Sequence, residues 1–94
     1  MKYPKEYLDE IKTRLKVSTV VSKSVNLKKR GKEFVGLSPF KTEKTPSFTV
    51  NDEKGFYHCF STAEHGNIFD FIMKTQNLKF GEAVKYLANL AGMQ

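Results

Sequence analysis

The sequence has little of what disulfide-rich, membrane-spanning or disordered proteins require. Its 94 residues include one cysteine, Cys59, which excludes an internal disulfide and is typical of a reducing compartment. No apolar run approaches the roughly 18 residues of a membrane span, and the N-terminus lacks the apolar stretch of a signal peptide. Charged residues make up 28% and apolar residues 39%, as in ordinary globular proteins. We therefore expect one soluble, cytoplasmic domain over residues 1–94, with no membrane partner.

Positive charge is what the sequence has in excess, because the net charge is +6. Residues 23–54 carry eight basic and four acidic groups, a net charge of +4, whereas residues 55–94 carry three of each and are neutral. The densest cluster consists of Lys28, Lys29, Arg30 and Lys32. Such a patch attracts a polyanion, either nucleic acid or an acidic membrane face. A solvated hairpin tip that lysines keep soluble is the alternative.

The hydrophobic periodicity predicts helices, then antiparallel strands, then helices. The expected elements are helices at about 4–15 and from the cap Ser18, strands from Val25 and at 33–37, 47–51 and 56–60, and helices at about 67–75, capped by Asn67, and 80–91. Residues 38–46 contain two prolines, which break any regular ladder. This order predicts an α+β fold, in which a small antiparallel β-sheet is flanked by N-terminal and C-terminal helices.

Aromatic residues accompany the basic ones on the predicted strands. Single-stranded nucleic acid is bound by a cationic groove that follows the phosphates and by aromatic faces on which bases stack. Because side chains alternate along a strand, some of these rings must lie in the core. We expect Phe48 and Phe56 to be buried, and Phe34, Tyr57 and His58 to lie on an exposed face.

No pattern in the sequence argues for catalysis or for a metal site. A nucleophile with its base, paired acids and a phosphate-binding glycine loop are all lacking. Structural zinc requires four Cys or His ligands, and only His58, Cys59 and His65 are available. His58 and Cys59 are neighbours on a predicted strand and point to opposite faces, so Cys59 and His65 remain without a second pair. We expect Cys59 to be a small buried hydrophobic residue.

Three ordered motifs resemble a known family. Pro-Phe-Lys-Thr-Glu-Lys-Thr-Pro-Ser-Phe (39–48), Gly-Phe-Tyr-His-Cys-Phe (55–60) and Glu-His-Gly-Asn-Ile-Phe-Asp-Phe (64–71) closely resemble the N-terminal zinc-binding (CHC2) domain of bacterial replicative DNA primase. The resemblance covers essentially the whole chain. It implies a small antiparallel sheet flanked by helices that touches single-stranded template DNA and helps to select the start sites of RNA primers. It also implies a catalytic polymerase domain that is absent from this chain.

The chain departs from the family at the metal site. The family carries Cys-Pro-x-His on one loop and Cys-x-x-Cys on the next hairpin, and these four positions here hold Ser38, Lys41, Cys59 and Thr62. One ligand of four remains, so we expect no structural zinc and no cofactor in this domain. The divalent metal ions of phosphoryl transfer would belong to the missing catalytic domain.

Without zinc, other contacts must hold the 38–46 loop against the 59–66 loop. We expect Phe40 to pack against Phe60, and hydroxyl groups to hydrogen-bond across the former metal site. The hydroxyl groups are those of Ser38, Ser61 and Thr62. Lys41 would reach an acid such as Glu64 or point to solvent.

The resemblance and the charge pattern together predict a template-binding accessory domain that is not an enzyme by itself, within a parent primase that is a nucleotidyltransferase. The expected phosphate contacts are Lys28, Lys29, Arg30, Lys32 and Lys44, and the expected base contacts are Phe34, Tyr57 and His58. Its partners would be single-stranded DNA template, the primase polymerase domain in cis or in trans, and the replication machinery. The alternative is a protein-interaction module that docks on the polymerase domain or on a second primase with little DNA contact.

Overall fold

The computed structural model describes residues 3–93 of the chain. The elements are α1 Lys5–Arg14, α2 Val17–Val21, β1 Lys28–Arg30, β2 Glu33–Gly36, β3 Phe48–Asn51, β4 Phe56–Cys59, β5 His65–Gly66, α3 Ile68–Gln76 and α4 Phe80–Leu90. The strands form one antiparallel sheet in the order β1-β2-β3-β4-β5, so each strand pairs with the next one along the chain. The expected α+β fold, a small antiparallel sheet with helices before and after it, is confirmed.

The beginning of α3 is fixed by its local sequence. The Asn67 side chain accepts hydrogen bonds from the backbone N–H groups of Phe69 and Asp70 at 2.9 and 3.1 Å. The Asp70 carboxylate accepts one from the Asn67 N–H at 2.9 Å, which completes a capping box. A Cβ atom on Gly66 would lie 2.5 Å from the Asp70 carboxylate, so a larger residue does not fit there. The expected cap at Asn67 is confirmed.

The second helix begins differently from the prediction. It starts at Val17 after Lys16, so Ser18 lies inside the helix and is not its cap. The backbone N–H and the hydroxyl of Ser18 instead donate to the Asp52 carboxylate at 2.8 and 2.5 Å. A tertiary hydrogen bond has replaced the expected local one, and it ties α2 to the turn between β3 and β4.

The core lies between the sheet and the helices, and all four helices contribute buried residues to it. Phe48 pairs with Cys59 and Val50 pairs with Tyr57 across β3 and β4, and all four side chains are buried. Phe71 of α3 packs its ring against those of Phe48 and Tyr57, with centroids 6.1 and 5.6 Å apart. We call this covered side the inner face of the sheet. The expected burial of Phe48 is confirmed.

Two expectations about β4 are wrong, and one error of phase explains both. Tyr57 was expected on an exposed face, but only 1% of it is exposed. Phe56 was expected in the core, but 55% of it is exposed. Because successive side chains of a strand point to opposite faces, the burial of Tyr57 and Cys59 puts Phe56 and His58 on the other side.

The remaining differences concern short elements. Strand β1 begins at Lys28, so the buried Val25 precedes it and belongs to the connection from α2. Strand β5 has only His65–Gly66, too few residues for a periodic pattern to show in the sequence. Residues 38–46 contain no helix or strand, as predicted. Among residues 3–93, no helix has the length and apolarity to cross a membrane, and the longest, α4, has 11 residues.

Candidate nucleic-acid interface

The side of the sheet that faces away from the core carries the candidate interface, and we call it the outer face. One row of register partners crosses all five strands on this side. The row consists of Lys28, Val35, Thr49, His58 and His65. Because each position in the row alternates with a residue of the inner face, the outer face follows directly from the strand register.

Exposed rings lie together at one end of the outer face. The His58 ring is 4.4 Å from the Phe60 ring, and it lies 6.1 Å from the His65 ring with an angle of 17° between the two planes. Phe60 directly follows β4 and is 69% exposed, and its N–H still donates to the Ser47 carbonyl at 2.9 Å. Phe56 stands on the same face at the other end of β4. Such rings offer flat, exposed surfaces on which bases can stack.

Basic side chains lie at the opposite edge of the sheet, on and beside strand β1. Lys28 and Arg30 stand at outer-face positions, whereas Lys29 is the register partner of Phe34 and points to the other side. Lys32 lies in the turn that follows β1. All four side chains are exposed, and none of them forms a salt bridge with another described residue. Their charges are therefore available to an external anion.

The fold brings Lys44, the fifth expected phosphate contact, to the same groove as Lys28. Both residues line a groove of about 490 Å³ between the segment that leads into β1 and the loop that follows β2. Val35 of the outer-face row also lines it, so groove and outer face form one continuous surface. The sequence alone gives no sign that these two lysines line the same groove.

The structure brings some of the expected base contacts together and separates others. His58 lies on the outer face, as expected. Phe34 is half-buried and is paired with the buried Val50, and Tyr57 is fully buried, so neither ring is placed for stacking. Our sequence reasoning did not include the exposed rings of Phe56, Phe60 and His65. The sequence did contain a sign of the orientation of β4. Because side chains alternate along a strand, the expected burial of Cys59 implies that Tyr57 is also buried and that Phe56 is exposed.

Cys59 is buried, as expected, but its surroundings are polar. Its Sγ atom donates to the Ser38 Oγ at 3.1 Å and lies 3.3 Å from the Ser61 Oγ. Burial raises the pKa of the Cys59 thiol, but hydrogen bonds with Ser38, Ser61 and Thr62 outweigh it and lower that pKa to about 6. The expectation of a small buried residue is confirmed, because Cys59 belongs to the hydrophobic core, and the hydroxyl groups near its sulfur are an additional feature.

The Glu43 carboxylate holds together the two ends of the loop at residues 38–47, next to this sulfur. Glu43 accepts hydrogen bonds from the backbone N–H of Ser38 at 2.8 Å and of Ser47 at 3.2 Å. The Ser47 Oγ lies 2.7 and 2.8 Å from the two Glu43 oxygens, toward which its single proton is directed, and 2.9 Å from the Ser61 Oγ. These hydrogen bonds, from the Ser47 side chain first and the Ser38 N–H next, lower the pKa of Glu43. Hydrogen bonds thus join the 38–46 loop to the 59–66 loop, as expected. The network includes Glu43 and Ser47 in addition to the expected hydroxyl groups.

The apolar part of that expectation is wrong. Phe40 does not pack on Phe60, because its ring lies 5.9–6.5 Å from those of Phe48, Tyr57 and Phe71 on the inner face. Lys41 is exposed, and Glu64 is paired with Lys74, whose Nζ lies 2.6 Å from its carboxylate. Of the two open possibilities for Lys41, the structure shows the exposed one.

The donor set at the four family positions does not suit a structural zinc ion. Cys59 supplies the only thiolate, Ser38 and Thr62 supply hydroxyls that already hydrogen-bond to that sulfur, and the Lys41 ammonium is no ligand at neutral pH. Among residues 3–93, no group of three or more His, Cys, Asp or Glu side chains converges. A tetrahedral site needs four ligands of the Cys or His type.

Comparison with known proteins gives a consistent result. Residues 3–94 match the family model described as the CHC2 zinc finger. The DNA primases of Haemophilus influenzae and Escherichia coli are 42% and 43% identical over 91 residues, which is 97% of this chain and 15% and 16% of those proteins. The DNA primase of Pseudomonas putida is 46% identical over 91 residues, 97% of this chain and 14% of that protein. The chain thus spans about 15% of the length of the curated relatives it matches.

A solved structure supports the same fold. The crystal structure of the Aquifex aeolicus primase, with its zinc-binding and RNA polymerase domains, matches with a TM-score of 0.87 at 28% sequence identity. The match covers 94% of this chain and 22% of that chain.

Proposed function

The chain belongs to the CHC2 zinc finger family of bacterial DNA primase domains, and we propose that it binds single-stranded template DNA as an accessory domain that helps to select where RNA primers begin. The observation that carries this proposal is the outer face, where the half-buried ring of His58 and the exposed rings of Phe60 and His65 lie on the same side of the sheet as Lys28 and Arg30. Rings and unpaired cations on one open surface are what a single strand requires.

The binding mode follows from the geometry of this surface. Bases stack on the rings at the β4–β5 end of the sheet, and the phosphates between them run toward Lys28, Arg30 and Lys32. Few phosphates are neutralised, so the affinity is weak and falls with salt by a slope of about 0.7 per phosphate contact. Phe56 extends the stacking surface along β4. Phe34 and Tyr57 contribute through the core and not through contact with DNA.

We further propose that residues 1–94 are one domain of a longer primase whose polymerase domain performs the phosphoryl transfer. The short span of this chain relative to its primase relatives supports this organisation. Divalent metal ions and the acids that hold them would belong to that polymerase domain, which acts with this domain in cis or in trans. Under this proposal, the protein acts in the cytoplasm with the replication machinery, and the chain alone has no nucleotidyltransferase activity.

The last part of the proposal is that the domain folds without structural zinc, although its family is named for that metal. The support is the chemistry of the donor set: one thiol, two hydroxyls and an exposed lysine stand where the family has four ligands. The hydrogen bonds of Glu43, Ser47 and Ser61 join the same two loops that the metal would join. Zinc binding contributes free energy directly to folding, so this network must replace that contribution.

The binding proposal is tested with a fluorescently labelled single-stranded oligonucleotide, whose anisotropy is measured at two salt concentrations. We expect Phe60→Ala to weaken binding roughly fivefold or more, because one base–aromatic stack contributes about 1–3 kcal/mol. The matched control is Tyr86→Ala, which removes an exposed ring of α4 that lies off the outer face. Equal binding by the two variants would contradict the proposal. No binding by the unaltered chain at low salt would favour docking on the polymerase domain instead.

The zinc proposal has a separate test. Protein purified without chelator should contain far less than one equivalent of zinc, and its melting temperature should not change with EDTA. The triple substitution Ser38→Cys, Lys41→His and Thr62→Cys restores the family's ligand set, and this variant should bind one equivalent and become sensitive to chelator. One equivalent of zinc in the unaltered chain would overturn this part of the proposal and leave the binding proposal standing.

A further inference from the structure

We propose that the groove beside Lys28 and Lys44 holds one nucleotide of the template strand apart from the bases stacked on the outer face, and that Asn26 reads its base. This inference rests on the proposed function and makes it more specific. It assigns phosphate binding to the two lysines and base discrimination to the segment that leads into β1.

The groove has the size and the walls for this occupant. Its volume of about 490 Å³ lies within the roughly 300–1,000 Å³ range of small-molecule sites. Leu37, Pro39 and Pro46 supply apolar surface, and 47% of Leu37 is exposed. A flat base can cover this surface.

Both walls of the groove are fixed before any ligand arrives. A Cβ atom on Gly36 would lie 2.7 Å from the Asn26 carbonyl oxygen, so glycine in β2 is what allows the segment before β1 to lie so close. On the other side, Glu43 holds the backbone N–H groups of Ser38 and Ser47 and thereby fixes the loop that carries Lys44. A site that is already formed loses less conformational entropy when it binds.

Four of the five polar side chains that line the groove have no partner among residues 3–93, whereas the fifth, Ser38, accepts hydrogen bonds from Phe40 and Cys59. Ser24, Asn26, Lys28 and Lys44 all line it, and within residues 3–93 none of their side chains forms a hydrogen bond or salt bridge. The lysines provide positive charge for a phosphate, and the amide of Asn26 provides both a donor and an acceptor for the edge of a base.

A nucleotide fits this set of groups better than an acidic peptide does. A peptide carboxylate would use the two lysines and leave the amide and the apolar wall without a specific partner. A nucleotide uses all three kinds of group. The groove also continues into the outer face through Lys28 and Val35, so a strand stacked on Phe60 and His58 can reach it.

The test measures base preference with the full 94-residue chain. The probes are labelled pentathymidine strands in which the central base is kept or changed to adenine, cytosine or guanine, and the dissociation constants are measured by anisotropy. We expect the four constants to differ, and Asn26→Ala to reduce the largest ratio about fivefold, the lower end of what one side chain–base contact provides. The matched control is Asn89→Ala, which removes an exposed amide of α4 and should leave the ratios unchanged.

Substitution of Lys44 should affect affinity and its salt dependence, but not base preference. Lys44→Ala should weaken binding of all four probes equally and reduce the salt slope by about 0.7, whereas Lys85→Ala on α4 should do neither. Melting temperatures confirm that each variant is folded before it is compared.

The outcomes separate this inference from the proposed function. Base-dependent shifts of the backbone amides of Asn26 and Lys44 in NMR titrations support the inference. If the amides of His58 and Phe60 shift while those of the groove do not, the inference is wrong and the proposed function stands. The inference also fails if the groove shifts with an acidic peptide but not with the oligonucleotides. If no amide shifts with any oligonucleotide at low salt, the proposed function fails and the inference fails with it.

Discussion

The two faces of the sheet use the same kinds of residue for opposite purposes. On the inner face, the rings of Phe48 and Tyr57 stack with centroids 5.5 Å apart and are covered by Phe71. On the outer face, the rings of His58 and Phe60 are 4.4 Å apart, and 69% of Phe60 is exposed to solvent. Strand β4 contributes to both faces, with Tyr57 and Cys59 inside and Phe56 and His58 outside.

The comparison shows that aromatic content alone does not identify a core. The apolar surface of a ring stabilises the fold only where other groups cover it, by about 25 cal/mol per Å² removed from water. The rings of the outer face contribute little to stability in this way. Single scattered apolar residues on a surface are ordinary, but Phe60, His58 and His65 form a contiguous group.

The largest expected effect is a difference in stability between the faces. Phe48→Ala should lower the free energy of unfolding by about 3–5 kcal/mol, because it leaves a cavity in the ring cluster of the inner face. Phe60→Ala should change it by less than about 0.5 kcal/mol. Urea denaturation followed by circular dichroism measures both values. Similar losses for the two variants would show that the outer rings also belong to the core.

A smaller loss of stability should result from removing the Ser38 hydroxyl, which hydrogen-bonds with Phe40 and Cys59. The Ser38 Oγ accepts hydrogen bonds from the Phe40 N–H at 3.0 Å and from the Cys59 thiol. Ser38→Ala leaves both donors without this partner, and we expect a loss of about 1–2 kcal/mol in the same denaturation experiment. Ser24→Ala removes a hydroxyl without a partner in the described chain and serves as the control. A Ser38→Ala variant as stable as that control would mean that the network does not replace the metal.

The last expected effect is a dependence of stability on pH. The pKa of Cys59 is about 6 in the folded chain and about 8.5 in an unfolded one, so folding favours the thiolate. This contribution is fully present above pH 8.5 and is lost as the pH falls through 6.

The corresponding measurement compares the unaltered chain with Cys59→Ser, whose hydroxyl does not titrate in this range. Between pH 6 and pH 8.5, the unfolding free energy of the unaltered chain should rise relative to that of the variant. The ultraviolet absorbance of the thiolate gives the midpoint independently. Parallel pH profiles for the two proteins would contradict the lowered pKa.

Much of the fold was predictable because it depends on local chemistry. The helices α3 and α4 were predicted within about a residue, since their apolar spacing and the Asn67 cap are visible in the sequence. The face assignment of Phe56 and Tyr57 was not, because a four-residue strand offers too few positions to fix its phase. The cap predicted at Ser18 was wrong because its partner, Asp52, is distant in the chain.

The sequence by itself determined the order of elements, the α+β class, the family and the basic character of residues 23–54, because these depend on composition and on spacing between near neighbours. Only the tertiary structure decided which rings are exposed, that Lys44 and Lys28 line one groove, and that hydroxyl groups surround Cys59. Those features arise from strand register and loop closure, which join residues that are far apart along the chain. Periodicity within a single segment carries no information about them.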